Sequence, residues 1–154
     1  MGKNKKILVE NINYSPSFLE PFWENGFCEL CLDLGHLMLG QEKVMDLVKQ
    51  YLDITQEIHL HGVKGYREHL SLSMLPKNLV HKWLKYLLTT SFKGVVNLEV
   101  FCPRDLEESM DIVLETFSLA AKGVKGQGHN FRVQVSDLSV DIEYPPGIPP
   151  NNPA

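Results

Sequence analysis

The chain has 154 residues, the length of a single domain with a sizeable core. Its 44% hydrophobic and 22% charged residues are typical of a globular protein, and a net charge of −4 gives no basic field that would attract nucleic acid. No apolar run is long enough to span a bilayer, and three cysteines are too few for a secreted disulfide scaffold, so we expect a cytoplasmic protein with neither a membrane nor a nucleic-acid partner.

Four short apolar runs with β character are predicted to form strands, at residues 6–10, 31–34, 57–61 and 94–101. Hydrophobic residues between these runs recur at helical spacing, which predicts helices around 44–52, 79–87 and 106–117 and a short one at 17–25. Strands that alternate with helices predict βαβ units, a parallel sheet and an α/β fold. Two architectures fit this pattern: an open doubly wound sheet, or part of a (β/α) barrel.

The pattern changes after residue 122. Residues 123–144 are predicted to form a glycine-rich polar loop followed by a β-hairpin, because apolar residues alternate with polar ones from residue 131 onwards. The proline-rich residues 145–154 are predicted to be an extended, mobile tail. The body of the fold is therefore expected within residues 1–122.

Each of the four predicted strands carries an acidic residue or a histidine within or directly after its apolar run. In chain order they are Glu10, Asp33 with His36, His59 with His61, and Glu99. A carboxylate in a buried strand is costly unless it is paired or binds a metal ion. Because the carboxyl ends of parallel strands meet at one edge, these side chains are expected to converge there. Carboxylate and imidazole groups bind zinc, manganese and iron(II), so the pattern predicts a divalent-metal site.

The order of these motifs resembles that of the xylose-isomerase-like barrel superfamily, which includes endonuclease IV, sugar-phosphate isomerases and sugar epimerases. The resemblance is carried by Glu10-Asn11, Asp33-Leu-Gly-His36, His59-Leu-His61, His69 and Glu99. It implies that the metal ligands are Glu10, Asp33, His59 and Glu99. It also implies that His36 is either a further ligand or a substrate contact, and that His69 serves an additional metal ion. The implied fold is the carboxy-terminal half of a (β/α)8 TIM barrel, with about four βα units in residues 1–122 and a short strand-like extension.

One position departs from the endonuclease-like branch of that superfamily. There a D-x-H motif follows the strand histidine, whereas this chain has Arg67-Glu-His69, so that Arg67 takes the aspartate position. The departure argues against a complete three-zinc endonuclease site.

A narrower resemblance is to the cobamide-remodelling phosphodiesterases, which cleave a phosphoester in the nucleotide loop of cobamides. The motifs that carry it are Leu8 to Asn13, Cys31 to His36, Ile58 to Val63, His69 to Leu72 and Leu98 to Phe101. It implies a metal-dependent phosphoester hydrolase with Glu10, Glu99 and His36 in catalysis. Predicted substrate contacts are His61, Lys64 and Arg67, which could donate to a phosphate.

Two other functions fit the same residues. One is a sugar or sugar-phosphate isomerase or epimerase, in which Glu10 and Glu99 would shuttle a proton at carbon. The other is a noncatalytic half-barrel that binds a metal ion or a partner chain.

The other half of a complete barrel is not in this sequence, and three explanations remain open. The chain is a fragment of a longer product, or it pairs with itself or with a separate amino-terminal half-barrel chain, or it is an inactive remnant that folds alone. An open half-barrel would leave sheet edges unpaired.

Overall fold

The computed structural model describes residues 7–90, 92–123, 130–135 and 138–143, with side chains described as far as residue 119. Within these residues the strands are β1 Ile7–Glu10, β2 Cys28–Asp33, β3 Thr55–Leu60, β4 Gly62–Lys64, β5 Arg67–Leu70, β6 Val95–Leu98, β7 Asn130–Val135 and β8 Leu138–Glu143. The α-helices are α1 Glu20–Glu24, α2 Leu34–Leu39, α3 Val44–Tyr51, α4 Lys77–Thr89 and α5 Pro103–Gly123. The predicted loop at 124–129 and the predicted tail at 145–154 lie outside the described residues.

Six strands form one sheet in the order β1-β2-β3-β6-β7-β8, and β4 pairs with β5 in a separate hairpin. Neighbours from β1 to β7 are parallel, and β8 is antiparallel to β7. The prediction of an α/β fold is therefore confirmed. The strand order follows the chain without the reversal that defines a doubly wound sheet, and right-handed crossovers then place the connecting helices on one face.

The two faces of the sheet differ in chemistry. The helix-covered face is apolar, with fully buried side chains that include Leu30, Leu32, Ile58, Leu60, Val96 and Leu98. They pack against buried helix residues such as Val48, Leu84 and Val113. Each such burial stabilises the fold by roughly 1.5–3 kcal/mol, which explains why these short runs form strands. Of the predicted ligands, only His36 lies on one of the helices that cover this face.

The opposite face of the sheet is polar. The register places Cys31 between Glu10 on β1 and Glu57 on β3. Two residues further along β2 and β3, His59 lies between Asp33 on β2 and Asn97 on β6. The polar residues that interrupt the apolar runs therefore share one face, as alternation along a strand requires.

The β4–β5 hairpin, which the strand pattern did not predict, follows β3 directly. Gly65, with φ +62°, lies at its tip and adopts the left-handed conformation that the turn needs. On the return strand the hairpin carries His69 back to the carboxyl end of the main sheet. No helix in the described part of the chain is both long and apolar enough to cross a membrane.

Candidate metal centre

The four predicted ligands lie at the carboxyl ends of four adjacent strands. Glu10 and Asp33 are the last residues of β1 and β2, and His59 is next to last in β3. Glu99 directly follows β6, where its N–H continues the ladder by donating to Leu60 O at 3.1 Å. One ligand atom from each of the four lies within 4.8 Å of the others. The structure thus brings the predicted quartet together.

His59 Nδ1 is the common point of this group. It lies 3.0 Å from Glu99 Oε2, 3.3 Å from Glu10 Oε1 and 3.8 Å from Asp33 Oδ2. Ligands at 2.0–2.2 Å from a tetrahedral ion lie about 3.4 Å from one another, so these separations suit a shared cation.

Three of these atoms are buried without a hydrogen-bond partner: Asp33 Oδ2, His59 Nδ1 and Glu99 Oε2. Buried polar atoms are ordinarily satisfied, since an unmade hydrogen bond costs about 1–3 kcal/mol. A divalent ion among them would satisfy all three at once. The residues present therefore fit a metal ion, whose place can otherwise be taken by a proton that His59 Nδ1 shares with Glu99 Oε2 at 3.0 Å.

Asp33 is held by several contacts that leave only one carboxylate oxygen open. The Asn11 amide bonds the Asp33 backbone twice, accepting from its N–H at 2.9 Å and donating to its carbonyl at 3.1 Å. Asp33 Oδ1 accepts from the His36 N–H at 2.7 Å as the N-cap of α2, and it lies 3.2 Å from His61 Nε2. Burial works to raise the pKa of Asp33, but His61 and the His36 N–H outweigh it and hold that pKa below its usual range.

His61, a predicted substrate contact, is 1% exposed and lies behind Asp33. Its Nδ1 accepts from the His69 N–H at 3.1 Å, so its Nε2 carries the proton that faces Asp33. The ring packs onto Gly35, where a Cβ would collide with it. His61 Nε2 lies within ion-pair distance of Asp33 Oδ1 but makes no hydrogen bond, and His61 belongs to two further groups of possible ligands, one with Asp33 and His36 and one with His69 and Glu99.

A second group of possible ligands lies beside the first and contains His36, Glu68 and His69. Each histidine has its Nδ1 at 3.2 Å from a backbone carbonyl, that of Asn11 for His36 and that of Glu99 for His69. These bonds leave both Nε2 atoms open, at 3.4 and 3.7 Å from the Glu68 carboxylate. His69 adopts φ +54°, which is uncommon for a residue with a side chain and is found at functional sites.

Glu68 was missed by the sequence reasoning, which compared only Arg67 with the aspartate of the D-x-H motif. Glu68 alternates with Arg67 along β5 and so points to the opposite side of the hairpin. Arg67 and Lys64 are exposed register partners on this hairpin, and neither belongs to a ligand group. Their predicted role as substrate contacts stays a prediction.

The quartet combines three carboxylates with one imidazole, and these groups set the direction of one another's pKa shifts. Burial works to lower the pKa of His59, but the Cys31 sulfur and the surrounding carboxylates raise it well above the usual range. His59 in turn lowers the pKa of Glu99, against the effect of burial. A proton on His59 therefore supplies positive charge at the point where the ligand atoms meet, and a metal ion would have to displace it.

Phe101 forms an exposed wall beside the second group. Its ring stacks on His69 with centroids 4.6 Å apart, and the side chain is 69% exposed. An exposed aromatic ring beside possible ligands offers an apolar surface to whatever approaches them.

Fold and site together define a mixed α/β protein with a candidate metal centre at the carboxyl edge of a parallel sheet. No protein-family model, no curated protein and no solved structure matches this chain.

Proposed function

We propose that this chain is a divalent-metal-dependent phosphoester hydrolase. The observation that carries the proposal is the set of buried, unpartnered atoms on Asp33, His59 and Glu99, which converge with Glu10 where four parallel strands end. Zinc, manganese or iron(II) suits these oxygen and nitrogen ligands.

A metal ion bound there would polarise a phosphoryl oxygen and lower the pKa of a bound water. The chain's own part is to hold, orient and accept protons. Glu10 and Glu99 have side chains 26% and 24% exposed, so each can both reach a cation and accept a proton from an attacking water. Glu10 Oε1 also lies 3.5 Å from His36 Nδ1, which puts this carboxylate between the two ligand groups.

We assign phosphate recognition to the exposed cations Lys64 and Arg67 of the β4–β5 hairpin, whose strand β5 also carries Glu68 and His69 of the second ligand group. Donors in that position would neutralise charge on phosphoryl oxygens. The motif resemblance makes the nucleotide loop of a cobamide the first substrate to test, and the exposed Phe101 ring offers a surface for a flat ligand.

The test has two stages. Metal content of the purified chain is measured by plasma mass spectrometry, for the wild type and for Glu10→Ala and Glu99→Ala, with Glu107→Ala as a control that removes a carboxylate from an exposed position. Hydrolysis is then followed with bis(4-nitrophenyl) phosphate and with a cobamide. A stoichiometric metal that is lost in the two site variants, together with phosphoester cleavage, would support the proposal. A metal-free wild type would refute it.

An isomerase or epimerase on the same frame is the second candidate. Its support is that Glu10 and Glu99 both approach His59 Nδ1 and are both partly exposed, so two proton acceptors flank one cation position. Product analysis with ketoses and sugar phosphates separates it from hydrolysis. A noncatalytic half-barrel would bind metal without turning over any of these substrates.

We also propose that the chain is the carboxy-terminal half of a (β/α)8 barrel. The chain-order arrangement of its parallel strands supports this, as does the free outer edge of β1 within the described sheet. Exposed apolar side chains recur in β1 and in the segment between β1 and β2, among them Ile7, Ile12, Phe18, Phe22 and Phe27. Such a surface suits an amino-terminal half-barrel chain or a second copy, and native mass spectrometry of the purified chain distinguishes a dimer from a monomer.

The cytoplasm remains the compartment we assign. The cysteines Cys28, Cys31 and Cys102 are all free, and the first two are buried, which suits a reducing environment.

A further inference from the structure

The Glu57 carboxylate lies behind the candidate metal centre, and no prediction from the sequence included it. Glu57 and His59 are two residues apart on β3, so both side chains lie on the polar face of the sheet. Glu57 Oε1 lies 3.1 Å from His59 Nε2, the ring nitrogen on the far side from Glu10, Asp33 and Glu99. His59 thus has carboxylates on both of its nitrogens.

Asn97 fixes the position of that carboxylate. It is the register partner of His59 on β6, and its Nδ2 donates to Glu57 Oε1 at 3.3 Å. The same Nδ2 lies 3.4 Å from His59 Nε2, so two N–H groups from neighbouring strands converge on one oxygen. Glu57 is only partly exposed, at 20%, and a charge held there requires such partners.

The hydrogen bond between His59 and Glu57 decides which ring nitrogen of His59 is left with a lone pair for a cation. In neutral imidazole one nitrogen carries the proton and the other has a lone pair. With Nε2–H donated to Glu57, the lone pair is on Nδ1, 3.0 Å from Glu99 Oε2 and within the quartet. The opposite tautomer would direct an N–H into the position a cation needs.

We propose that Glu57 is a positioning residue that holds His59 in the Nε2–H tautomer and so raises the affinity of the quartet for a divalent cation. The inference rests on one part of the proposed function, the presence of a metal ion. It does not depend on which reaction that metal ion serves. Partners of this kind orient metal-binding histidines in other proteins, and their loss commonly weakens metal affinity about 10–100-fold.

Two substitutions of similar length separate the hydrogen bond from packing. Glu57→Met keeps the volume without an acceptor, and Glu57→Gln keeps an oxygen that can accept from His59. Zn²⁺ affinity of the full chain is measured by competition with a chromophoric chelator. We expect a loss of about 10–100-fold for Glu57→Met, less than tenfold for Glu57→Gln, and no change for Glu107→Met on the exposed face of α5.

Nitrogen-15 NMR of the histidine rings supplies a readout that packing alone would not change. With zinc bound the His59 ring has lost one proton, and the wild type should show the remaining proton on Nε2, shifted downfield by its bond to Glu57; zinc-loaded Glu57→Met should lose that downfield shift. Should Glu57→Met fail to fold, Asn97→Ala removes only the second donor to Glu57 and is expected to weaken Zn²⁺ binding in the same direction by a smaller factor.

The outcomes are distinguishable. A wild type that binds no Zn²⁺ would overturn both the metal centre and this inference. Loss of Zn²⁺ in His59→Ala with affinity retained in folded Glu57→Met, or in Asn97→Ala if that variant replaces it, would overturn the inference alone. Equal losses in the Met and Gln variants would show that only the charge of Glu57 matters, which contradicts the tautomer role.

Discussion

Asn11 joins the carboxyl ends of β1 and β2 and so supports the candidate metal centre without belonging to it. Its side chain is 1% exposed and replaces two ladder bonds, one to the Asp33 N–H at 2.9 Å and one to the Asp33 carbonyl at 3.1 Å. In Asn11→Ala both groups of Asp33 lose their partner in a buried setting. Each unsatisfied group costs about 1–3 kcal/mol, so we expect a loss of about 3 kcal/mol in the free energy of unfolding.

Urea denaturation measures this loss directly. With a slope of about 2 kcal/mol per molar urea, the midpoint for Asn11→Ala should fall by about 1.5 M. Asn25→Ala is the matched control, because the Asn25 amide also donates to a backbone carbonyl, that of Pro21 at 2.6 Å, but at an exposed position. Its unfolding free energy should change by less than about 0.5 kcal/mol. Equal midpoints for the two variants would refute the assignment of Asn11 as a buried link between the strands.

Three further predictions follow from contacts already described. Zn²⁺ affinity should rise about tenfold per pH unit between pH 6 and 8, because the raised pKa of His59 means that the metal ion displaces one proton; an affinity independent of pH in chelator competition would contradict this. Tyr51→Phe removes the bond of the Tyr51 hydroxyl to Glu20 Oε1 at 2.8 Å and should lower stability by about 1 kcal/mol. Burial, and then Glu20, raises the pKa of Tyr51 to about 12. The stability contributed by the Tyr51 hydroxyl is therefore complete below pH 10 and is lost as pH rises towards 12. Urea midpoints from pH 8 to 11 should decline more in the wild type than in Tyr51→Phe. Gly35→Ala places a Cβ against the His61 ring and should cost about 1–3 kcal/mol, and a thermal midpoint equal to that of the wild type would show that the ring can move aside.

The strand ends could be predicted from the sequence because two signals coincide there. Apolar runs marked the strands, and an acid or a histidine at the end of each run marked the edge where parallel strands converge. The identity of Glu10, Asp33, His59 and Glu99 as neighbours therefore followed from local pattern and one topological rule. The α/β class followed in the same way.

Residues that act through the register of neighbouring strands could not be found from the pattern alone. Asn97 matters because β6 pairs with β3 at His59, and Glu57 looked like an ordinary polar alternation in a strand. Glu68 was hidden by the short β4–β5 hairpin, whose two strands of three and four residues carry too weak a period to predict. His61 looked open because it follows a strand, yet tertiary packing against Gly35 buries it.

The β4–β5 hairpin also gives a practical site for a reporter group. Tyr66 at its tip is 99% exposed, while the His69 N–H bond to His61 and the His69 ring bond to the Glu99 carbonyl tie the base to the main sheet. A fluorophore linked to Tyr66→Cys, in a chain whose exposed Cys102 is replaced by serine, should leave the ligand groups intact, because there is open space around the left-handed Gly65 next to it. Since His69 lies three residues further along the chain, occupation of the second ligand group should alter the emission of such a label, and the chain could then be used as its own metal sensor.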